Sequence, residues 1–185
     1  MRKVVIVGGG SAGWMTAAYL NGALNRQGGE KNVKITLLES PDIPRISVGE
    51  ATIPSMRHLL AVVGVDEQDF MRTTDATFKQ SIKYVNWTLN DNTFYHHPFS
   101  HYQHSPLDNS GAEWLKSDRS IPYMETVSAQ PILCEMGRAP LMMTQWDMGP
   151  PLTYAYHMNA QKFADYLRDF SVARGVVHIQ ANLCG

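Results

Sequence analysis

Apolar and polar positions near the start of the chain follow the periods of a strand, a helix and a second strand. Residues 2–7 form a β-branched run that ends at glycine and predicts a buried strand. Residues 14–24 repeat small and apolar side chains every three to four positions, which predicts a helix. After a polar, glycine-rich loop at 25–32, residues 33–38 predict another strand, which ends at Glu39. This order predicts two parallel neighbouring strands joined by a right-handed crossover.

The middle of the chain predicts one more helix and one more strand. Pro54 suits the first position of a helix and Gly64 suits its end, and the apolar residues between them have helical spacing. Residues 79–89 place apolar side chains on alternating positions, with a slip that brings in Trp87 and Leu89. This segment predicts a strand of a second sheet.

The remainder of the chain predicts a long irregular segment before a final helix and strand. Residues 90–155 show no sustained period and are rich in Pro, Met, His and aromatic residues, which is typical of a functional loop region. Asn159 predicts the cap of a helix that ends at Gly175, and residues 176–179 begin another strand. The predicted organisation has three parts. Residues 1–89 form the first part of one domain, residues 90–155 form an irregular substrate-side segment, and residues 156–185 return to the first domain.

The glycines after the first predicted strand have the spacing of a dinucleotide-binding fingerprint. Gly8, Gly10 and Gly13 stand between a predicted strand and a predicted helix, the context in which this pattern is informative. The first glycine makes a tight turn, the second lets a pyrophosphate approach, and the third lets the helix pack on the strand. Glu39, at the end of the second strand, is placed to accept hydrogen bonds from a ribose. The fingerprint alone does not distinguish FAD from NAD, and a glycine-rich turn without a ligand stays an alternative.

Charge and composition argue against several classes of protein. Sixteen Lys and Arg against seventeen Asp and Glu give a net charge of −1, which offers no electrostatic argument for a nucleic acid or an anionic membrane. No run approaches the ~18 consecutive apolar residues of a membrane span, and the N-terminal apolar run is too short for a signal peptide. Cys134 and Cys184 suggest neither a disulfide framework nor a zinc site. We therefore expect a reduced, cytoplasmic protein.

Two sets of polar residues invite a metal or catalytic interpretation. The histidines His96, His97, His101 and His104 lie close together in sequence, but prolines interrupt them and no carboxylate or cysteine lies among them. Their spacing fits no common metal site, so no metal is predicted. Lys79, taken by itself, is typical of a solvated lysine at the end of a strand.

Four segments together resemble one enzyme family. They are residues 8–15, 45–55, 78–87 and 154–160. With them the chain resembles the N-terminal part of the flavin-dependent tryptophan halogenases along essentially all of its 185 residues. The resemblance implies an α/β fold, namely an FAD-binding Rossmann-like βαβ domain of the flavin monooxygenase type, incomplete, with the start of a substrate-covering module.

The resemblance also implies an activity and its partners. Members of this family use reduced FAD and dioxygen to convert chloride or bromide to hypohalous acid, which passes through a tunnel to a lysine beside the aromatic substrate. The implied reaction is halogenation of tryptophan or another indole, with FADH2 supplied by a separate flavin reductase. We expect no nucleic acid and no membrane partner. A homodimer is an assembly that stays open.

The matching motifs assign these roles to particular residues. Lys79 corresponds to the family's catalytic lysine and is also expected to contact the substrate. His97 and Phe99 are expected to lie against the substrate ring. The residues assigned to the FAD site are Gly8, Gly9, Gly10, Ala12, Gly13, Glu39, Ser40, Ile43, Arg45, Val48, Glu50, Ala51 and Leu183.

Some parts of the family pattern have no counterpart in the 185 residues. These are the second catalytic residue, a glutamate, the Trp-x-Trp-x-Ile-Pro motif and the halide site. We therefore expect the chain to be a portion of a longer enzyme and to be inactive by itself. Two alternatives stay open: a related flavin monooxygenase or reductase, and a catalytically silent FAD-binding fragment.

Overall fold

The computed structural model of the chain describes residues 2–25, 32–45, 48–100, 108–141 and 152–182. The chain divides into two units, which are described separately. Unit 1 contains residues 1–77 and 156–185, and unit 2 contains residues 78–155. Among the helices of the described residues, none is long and apolar enough to cross a membrane.

The described residues form both strands and helices. In chain order they are β1 Arg2–Val7, α1 Ser11–Leu24, β2 Val33–Glu39, β3 Gly49–Ala51, α2 Ser55–Val63, α3 Glu67–Thr73, β4 Thr77–Lys79, β5 Ser81–Val85, β6 Phe94–Pro98, α4 Ser110–Lys116, α5 Tyr123–Val127, α6 Gln130–Glu135, β7 Ala155–Asn159, α7 Ala160–Ala173 and β8 Val177–Gln180.

The strands β1, β2 and β8 form a parallel sheet in unit 1, in the order β1-β2-β8. Val4 of β1 lies opposite Ile35 of β2, and Leu38 of β2 lies opposite Ile179 of β8. The helix α1 connects β1 to β2, so the predicted βαβ arrangement with parallel neighbouring strands is confirmed. The loop between β1 and α1 therefore lies at the carboxyl end of the sheet, where α/β proteins bind their ligands.

The core of unit 1 holds the elements that flank this loop. The helix α1 packs against β2, α2 and α7. Ring contacts of the edge-to-face kind join Phe70 to Tyr156 and to Phe163. Each fully buried large apolar side chain contributes about 1.5–3 kcal/mol to stability. The fully buried members of this core include Trp14, Ile35, Leu37, Leu60, Phe70, Tyr156, Phe163 and Leu167.

The helix boundaries of unit 1 largely follow the predicted signals. The Asn159 side chain accepts a hydrogen bond from the Lys162 backbone N–H at 3.0 Å, so the predicted cap of α7 is confirmed. Gly64 adopts a left-handed conformation at the end of α2, as predicted. Pro54 precedes the first helical residue of α2 instead of occupying the first helical position.

The prediction that β1 is a buried strand is wrong, because none of its six residues is buried. Val5 is 62% exposed and Val7 is 63% exposed. Among the described strands, β1 pairs with β2 alone and forms an edge of the sheet. Val4 and Ile6, on the other face, are half-buried. A strand of a parallel sheet becomes buried when other elements cover both of its faces, and the described residues do not cover β1 in this way.

The sequence pattern does not predict β3, α3 or β7. The strand β3 has three residues, which is too short to show an alternating period, and it pairs antiparallel with β7 so that Glu50 faces Met158. The helix α3 does have a visible signal, because the Asp66 side chain accepts a hydrogen bond from the Asp69 backbone N–H at 2.8 Å. An aspartate before a short acidic turn is a recognised start of a helix.

Unit 2 is built on an antiparallel hairpin of β5 and β6. Ile82 lies opposite His97, and Lys83 lies opposite His96. The helices α5 and α6 pack on this hairpin. The next backbone bond, from the Phe99 N–H to the carbonyl oxygen of residue 80 at 3.0 Å, continues the pairing beyond β6.

The predicted strand over 79–89 is wrong at its end. The strand β5 ends at Val85, and Asn86 has a φ of 53° that turns the chain into the hairpin loop. Trp87 and Leu89 lie in this loop and are mostly exposed. The break in the alternating pattern before Trp87 therefore marks the turn at Asn86 and not an irregularity within a longer strand.

The prediction that 90–155 is irregular is also wrong, because β6, α4, α5 and α6 lie within it. Each of these helices has between five and seven residues, too few for an apolar period to be visible. Pro122 precedes α5, and Pro131 lies in the first turn of α6, so prolines that suggest a loop here mark helix starts.

Candidate functional site

The glycine loop between β1 and α1 lines a cavity of about 350 Å³ in unit 1. The loop, the end of β2, the segment after it and the first turns of α7 all contribute to its wall. The predicted FAD residues that line it are Gly8, Gly9, Gly10, Glu39, Ser40, Ile43 and Arg45. Residues that are distant in sequence are thus brought together around one cavity.

Close approaches within the protein require glycine at two positions, Gly9 in the loop and Gly13 in the first turn of α1. A Cβ atom at Gly9 would lie 1.4 Å from Oε2 of Glu39, and one at Gly13 would lie 1.9 Å from the carbonyl oxygen of Gly8. A Cβ atom at Gly10 would meet no atom within 4 Å. Gly10 therefore leaves open space above the loop backbone, which suits the close approach of a ligand.

The Glu39 carboxylate, at the end of β2, is held by two side chains. Its Oε2 lies 3.2 Å from Nη2 of Arg45, and its Oε1 lies 2.7 Å from Nε2 of His178. A carboxylate has about four lone-pair sites, so these two contacts leave acceptor capacity for a further donor. Glu39 is thereby fixed in place beside the glycine loop and can still accept a hydrogen bond from a ribose hydroxyl.

Arg45 is anchored on its other side by Asp165 of α7. Nη1 of Arg45 donates to Oδ1 of Asp165 at 2.7 Å. Partial burial by itself raises the pKa of Asp165, but hydrogen bonds from Gln161 and Arg45 and the charges of Arg168 and Arg45 outweigh burial, so that the pKa lies below its usual value. Asp165 therefore stays ionised and keeps the guanidinium of Arg45 at the cavity.

The first turn of α1 suits an anion. Gly10 precedes the helix and offers no side-chain cap, and the first turn contains no acidic residue. The backbone N–H groups of a helix's first turn have no partner within the helix and carry partial positive charge. The predicted residues Ala12 and Gly13 lie in this turn. The residues present therefore fit the pyrophosphate of a dinucleotide.

The other predicted FAD residues do not line this cavity. Glu50 and Ala51, in β3, line another cavity of about 360 Å³ together with residues of α1 and α2. Val48 is 65% exposed and lines neither cavity. Leu183 lies outside the described residues. The segment that was predicted as one flavin-contacting strap therefore contributes to two cavities of unit 1.

Sequence reasoning missed several residues of the glycine-loop cavity. Ala160 and Ala164 line it from α7, four positions apart on one helix face. His178, which holds Glu39, comes from β8. Small residues with helical spacing after a capping asparagine are a signal that could have pointed to α7. No local pattern predicts the contact from β8.

Lys79 and Phe99 come together in unit 2. Lys79, at the end of β4, is only 9% exposed, and its Nζ lies 5.4 Å from the centroid of the Phe99 ring. Burial lowers the pKa of Lys79 below the ordinary lysine value. The interpretation of Lys79 as a solvated lysine, which its residue type alone favours, is therefore wrong.

His97 lies close in sequence to this pair. Side chains two positions apart along a strand point to the same side. The backbone pairing continues from β6 to Phe99, so His97 and Phe99 lie on the same side of the hairpin. His97 is exposed and Phe99 is half-buried. That these two rings contact a substrate stays a prediction.

A hydrogen-bonded network occupies the opposite side of the hairpin. Ser81 Oγ lies 2.7 Å from Nδ1 of His96, and Nε2 of His96 lies 3.0 Å from Oε1 of Glu135. Lys83 Nζ donates to the same carboxylate at 2.7 Å. Both ring nitrogens of His96 are thus engaged by protein groups. Among the described residues, no three His, Cys, Asp or Glu side chains converge on a metal position.

Comparison with known proteins supplies the family. The profile of the tryptophan halogenases matches residues 3–184. The chain belongs to the tryptophan halogenase family. The predicted resemblance is therefore confirmed over nearly the whole of the chain.

Curated tryptophan halogenases are similar to this chain over about a third of their own length. Tryptophan 6-halogenase ThaL of Streptomyces albogriseolus is 37% identical, covering 97% of this chain and 36% of ThaL. Tryptophan 7-halogenase RebH of Lentzea aerocolonigenes is 33% identical, covering 96% of this chain and 36% of RebH.

Solved structures of tryptophan halogenases share the fold. The crystal structure of the tryptophan halogenase from Shewanella frigidimarina aligns with a TM-score of 0.91 at 37% identity, covering 100% of this chain and 37% of that one. The predicted α/β fold of the flavin-dependent halogenases is therefore confirmed.

Proposed function

We propose that the complete protein to which this chain belongs halogenates tryptophan or another indole, using reduced FAD, dioxygen and chloride or bromide. The observation that carries the proposal is the burial of Lys79 beside Phe99 in a member of the tryptophan halogenase family. The names of ThaL and RebH, both tryptophan halogenases, support the substrate class.

The cavity at the glycine loop is the proposed site for FAD. The backbone N–H groups at the start of α1, between Gly10 and Gly13, would hold the pyrophosphate. Glu39 would accept a hydrogen bond from a ribose hydroxyl, while Arg45 and Ser40 would border the nucleotide. When bound, reduced FAD supplies the electrons with which dioxygen oxidises the halide.

Lys79 is suited to deliver an electrophilic halogen to an aromatic carbon. A buried ammonium interacts more strongly with a polar ligand than a solvated one does, because less water competes. In the proposed step, Nζ of Lys79 donates a hydrogen bond to the oxygen of hypohalous acid while the ring carbon attacks the halogen. The departing hydroxide takes a proton from Lys79 and leaves as water. The amine regains a proton as the ring carbon loses its own, and the lowered pKa of Lys79 favours this exchange.

The side chains of His97 and Phe99 are the proposed platform for the substrate ring. Aromatic pairs in stacked or edge-to-face arrangement contribute about 0.5–1.5 kcal/mol beyond the burial of their area. Phe99 lies beside Nζ of Lys79, so a ring that packs on Phe99 would be close to the proposed donor. This arrangement favours a flat, electron-rich substrate.

The proposal is tested by assaying the complete protein with tryptophan, FAD, a flavin reductase with NADH, and chloride or bromide. We expect mass spectrometry to detect tryptophan in which one hydrogen is replaced by the halogen, and none when the halide is omitted. A hydroxylated product in place of a halogenated one would contradict the proposal and favour the related flavin monooxygenase.

A further inference from the structure

Unit 2 contains a cavity beside β6 that neither His97 nor Phe99 lines. It measures about 590 Å³, within the range of about 300–1,000 Å³ that small-molecule sites occupy. Residues 92–96, in β6 and the loop before it, form one part of the wall of this cavity. We call it the aromatic cavity, and its wall includes Phe94, His96, Trp114, Tyr123, Met124 and Glu125.

The polar atoms of these rings are already bound within the protein. Nε1 of Trp114 donates to the carbonyl oxygen of Ile121 at 2.7 Å, and the Tyr123 hydroxyl lies 3.1 Å from Oγ of Ser110. The two rings have their centroids 5.7 Å apart. What the cavity offers a ligand is therefore ring faces and edges, which favour a flat aromatic partner over a polar one.

The charge at the cavity wall is negative. Among the described residues that line it, Glu125 carries the only formal charge, and no lysine or arginine is present. Glu125 is half-buried in the first turn of α5 and forms no ion pair within the described part of the chain. Beside the wall, Nζ of Lys83 lies 3.7 Å from the centroid of the Phe94 ring and pairs with Glu135 at 2.7 Å. The Phe94 ring therefore already holds a cation of the protein. The part of the wall formed by Glu125 and the rings of Trp114 and Tyr123 is thus complementary to a cation.

We propose that the aromatic cavity binds a two-ring aromatic amine, with its rings packed on Trp114 and Tyr123 and its ammonium group near Glu125. Neither Lys79 nor the glycine loop lines this cavity, so the site does not depend on the proposed halogenation. It is a binding site separate from the proposed substrate platform.

The test uses two probes that share an indole ring and differ in charge, tryptamine and indole-3-acetate. The complete protein is labelled with ¹³C in its methionine methyl groups, and the Met124 resonance is identified from its loss in Met124→Leu. Ring currents shift a methyl group that contacts an aromatic ligand. We expect tryptamine to shift the Met124 resonance at a concentration at least about threefold lower than indole-3-acetate does, as one exposed charge interaction allows. The Met158 methyl group, buried in unit 1, should not shift.

Two matched variants assign the charge preference. Glu125→Gln should remove the preference for tryptamine while both probes still shift Met124. Glu113→Gln, which changes an exposed carboxylate on α4 that does not line the cavity, should keep the preference. The proposal is overturned if Met124 does not shift with either probe, or if Glu125→Gln leaves the preference unchanged. Because the readout is Met124 and not product, this outcome is independent of whether the protein halogenates tryptophan.

Discussion

Two lysines of unit 2 show how position decides the chemistry of one residue type. Lys83 is 37% exposed and pairs with Glu135 at 2.7 Å, an arrangement that contributes little to stability in water. Lys79 is buried, and burial lowers its pKa. A lysine whose ammonium form is disfavoured by burial exchanges protons more readily near neutral pH than a solvated one does.

The lowered pKa of Lys79 predicts a pH-dependent effect on stability. Burial penalises the charged form in the folded state, so the penalty is complete below the folded pKa and disappears as the pH rises toward the ordinary value of 10.5. Lys79→Met in the complete protein should raise the free energy of unfolding at pH 7, by about 1.4 kcal/mol for each unit of pKa lowering, and this gain should shrink toward pH 10.5. Urea titrations at several pH values measure it, with Lys83→Met as the control that shows no such gain.

The site residues differ in how far sequence could predict them. Residue chemistry alone favours a solvated Lys79, and only the resemblance of residues 78–87 points to a catalytic role, because the burial of a single side chain depends on distant packing. Glu39 and His178 are separated by 139 positions in the sequence, and the pairing of strands β2 and β8 brings them together. No local pattern contains that information.

At the scale of the element, length decides what the sequence predicts. The fourteen-residue helices α1 and α7 and the seven-residue strand β2 are found from their periods and caps. The short helices α4, α5 and α6 are not, since isolated helices of such length are not stable in water and form only when packed on other elements. Packing of α5 and α6 on β6 supplies that stability.

Substitutions of two glycines near the start of α1 should affect different properties, protein stability at Gly13 and FAD binding at Gly10. Gly13→Ala places a Cβ 1.9 Å from the Gly8 carbonyl oxygen and should destabilise the complete protein by about 1–3 kcal/mol, as overpacking does. Gly10→Ser meets no atom within 4 Å and adds a favourable helix cap, so stability should be kept while FAD binding falls, because the side chain occupies the proposed approach of the pyrophosphate. Thermal unfolding and flavin fluorescence measure the two quantities. Tight FAD binding by Gly10→Ser would contradict the proposed site.

At the scale of the whole molecule, the chain provides one proposed dinucleotide site. It contains a single glycine fingerprint, at residues 8–13, and spans about a third of the length of ThaL and RebH. The family, the α/β fold and the position of the fingerprint could be predicted from sequence because they rest on contiguous segments. The exposed face of β1 could not, because covering a sheet depends on elements elsewhere in the chain.

The proposed dependence on a separate flavin reductase predicts that the complete protein does not oxidise NADH by itself. We expect FADH2 to come from a separate flavin reductase, so NADH consumption and product formation should both begin only when the reductase is added. Absorbance at 340 nm and product yield follow the two events. Oxidation of NADH in proportion to halogenated product, without any reductase, would show that the complete protein has its own reductase site.

The proposed role of Lys79 is tested by one comparison, between Lys79→Met and Lys83→Met in the complete protein. Both variants remove an ammonium group from strands that follow each other in the chain, but only Lys79 lies buried beside Phe99. Product yield and oxygen uptake are measured on the same preparations with FADH2 and halide. We predict that Lys79→Met still consumes oxygen while halogenated tryptophan falls by at least about 10²-fold, and that Lys83→Met keeps both. Retention of most product by Lys79→Met would contradict the proposed mechanism.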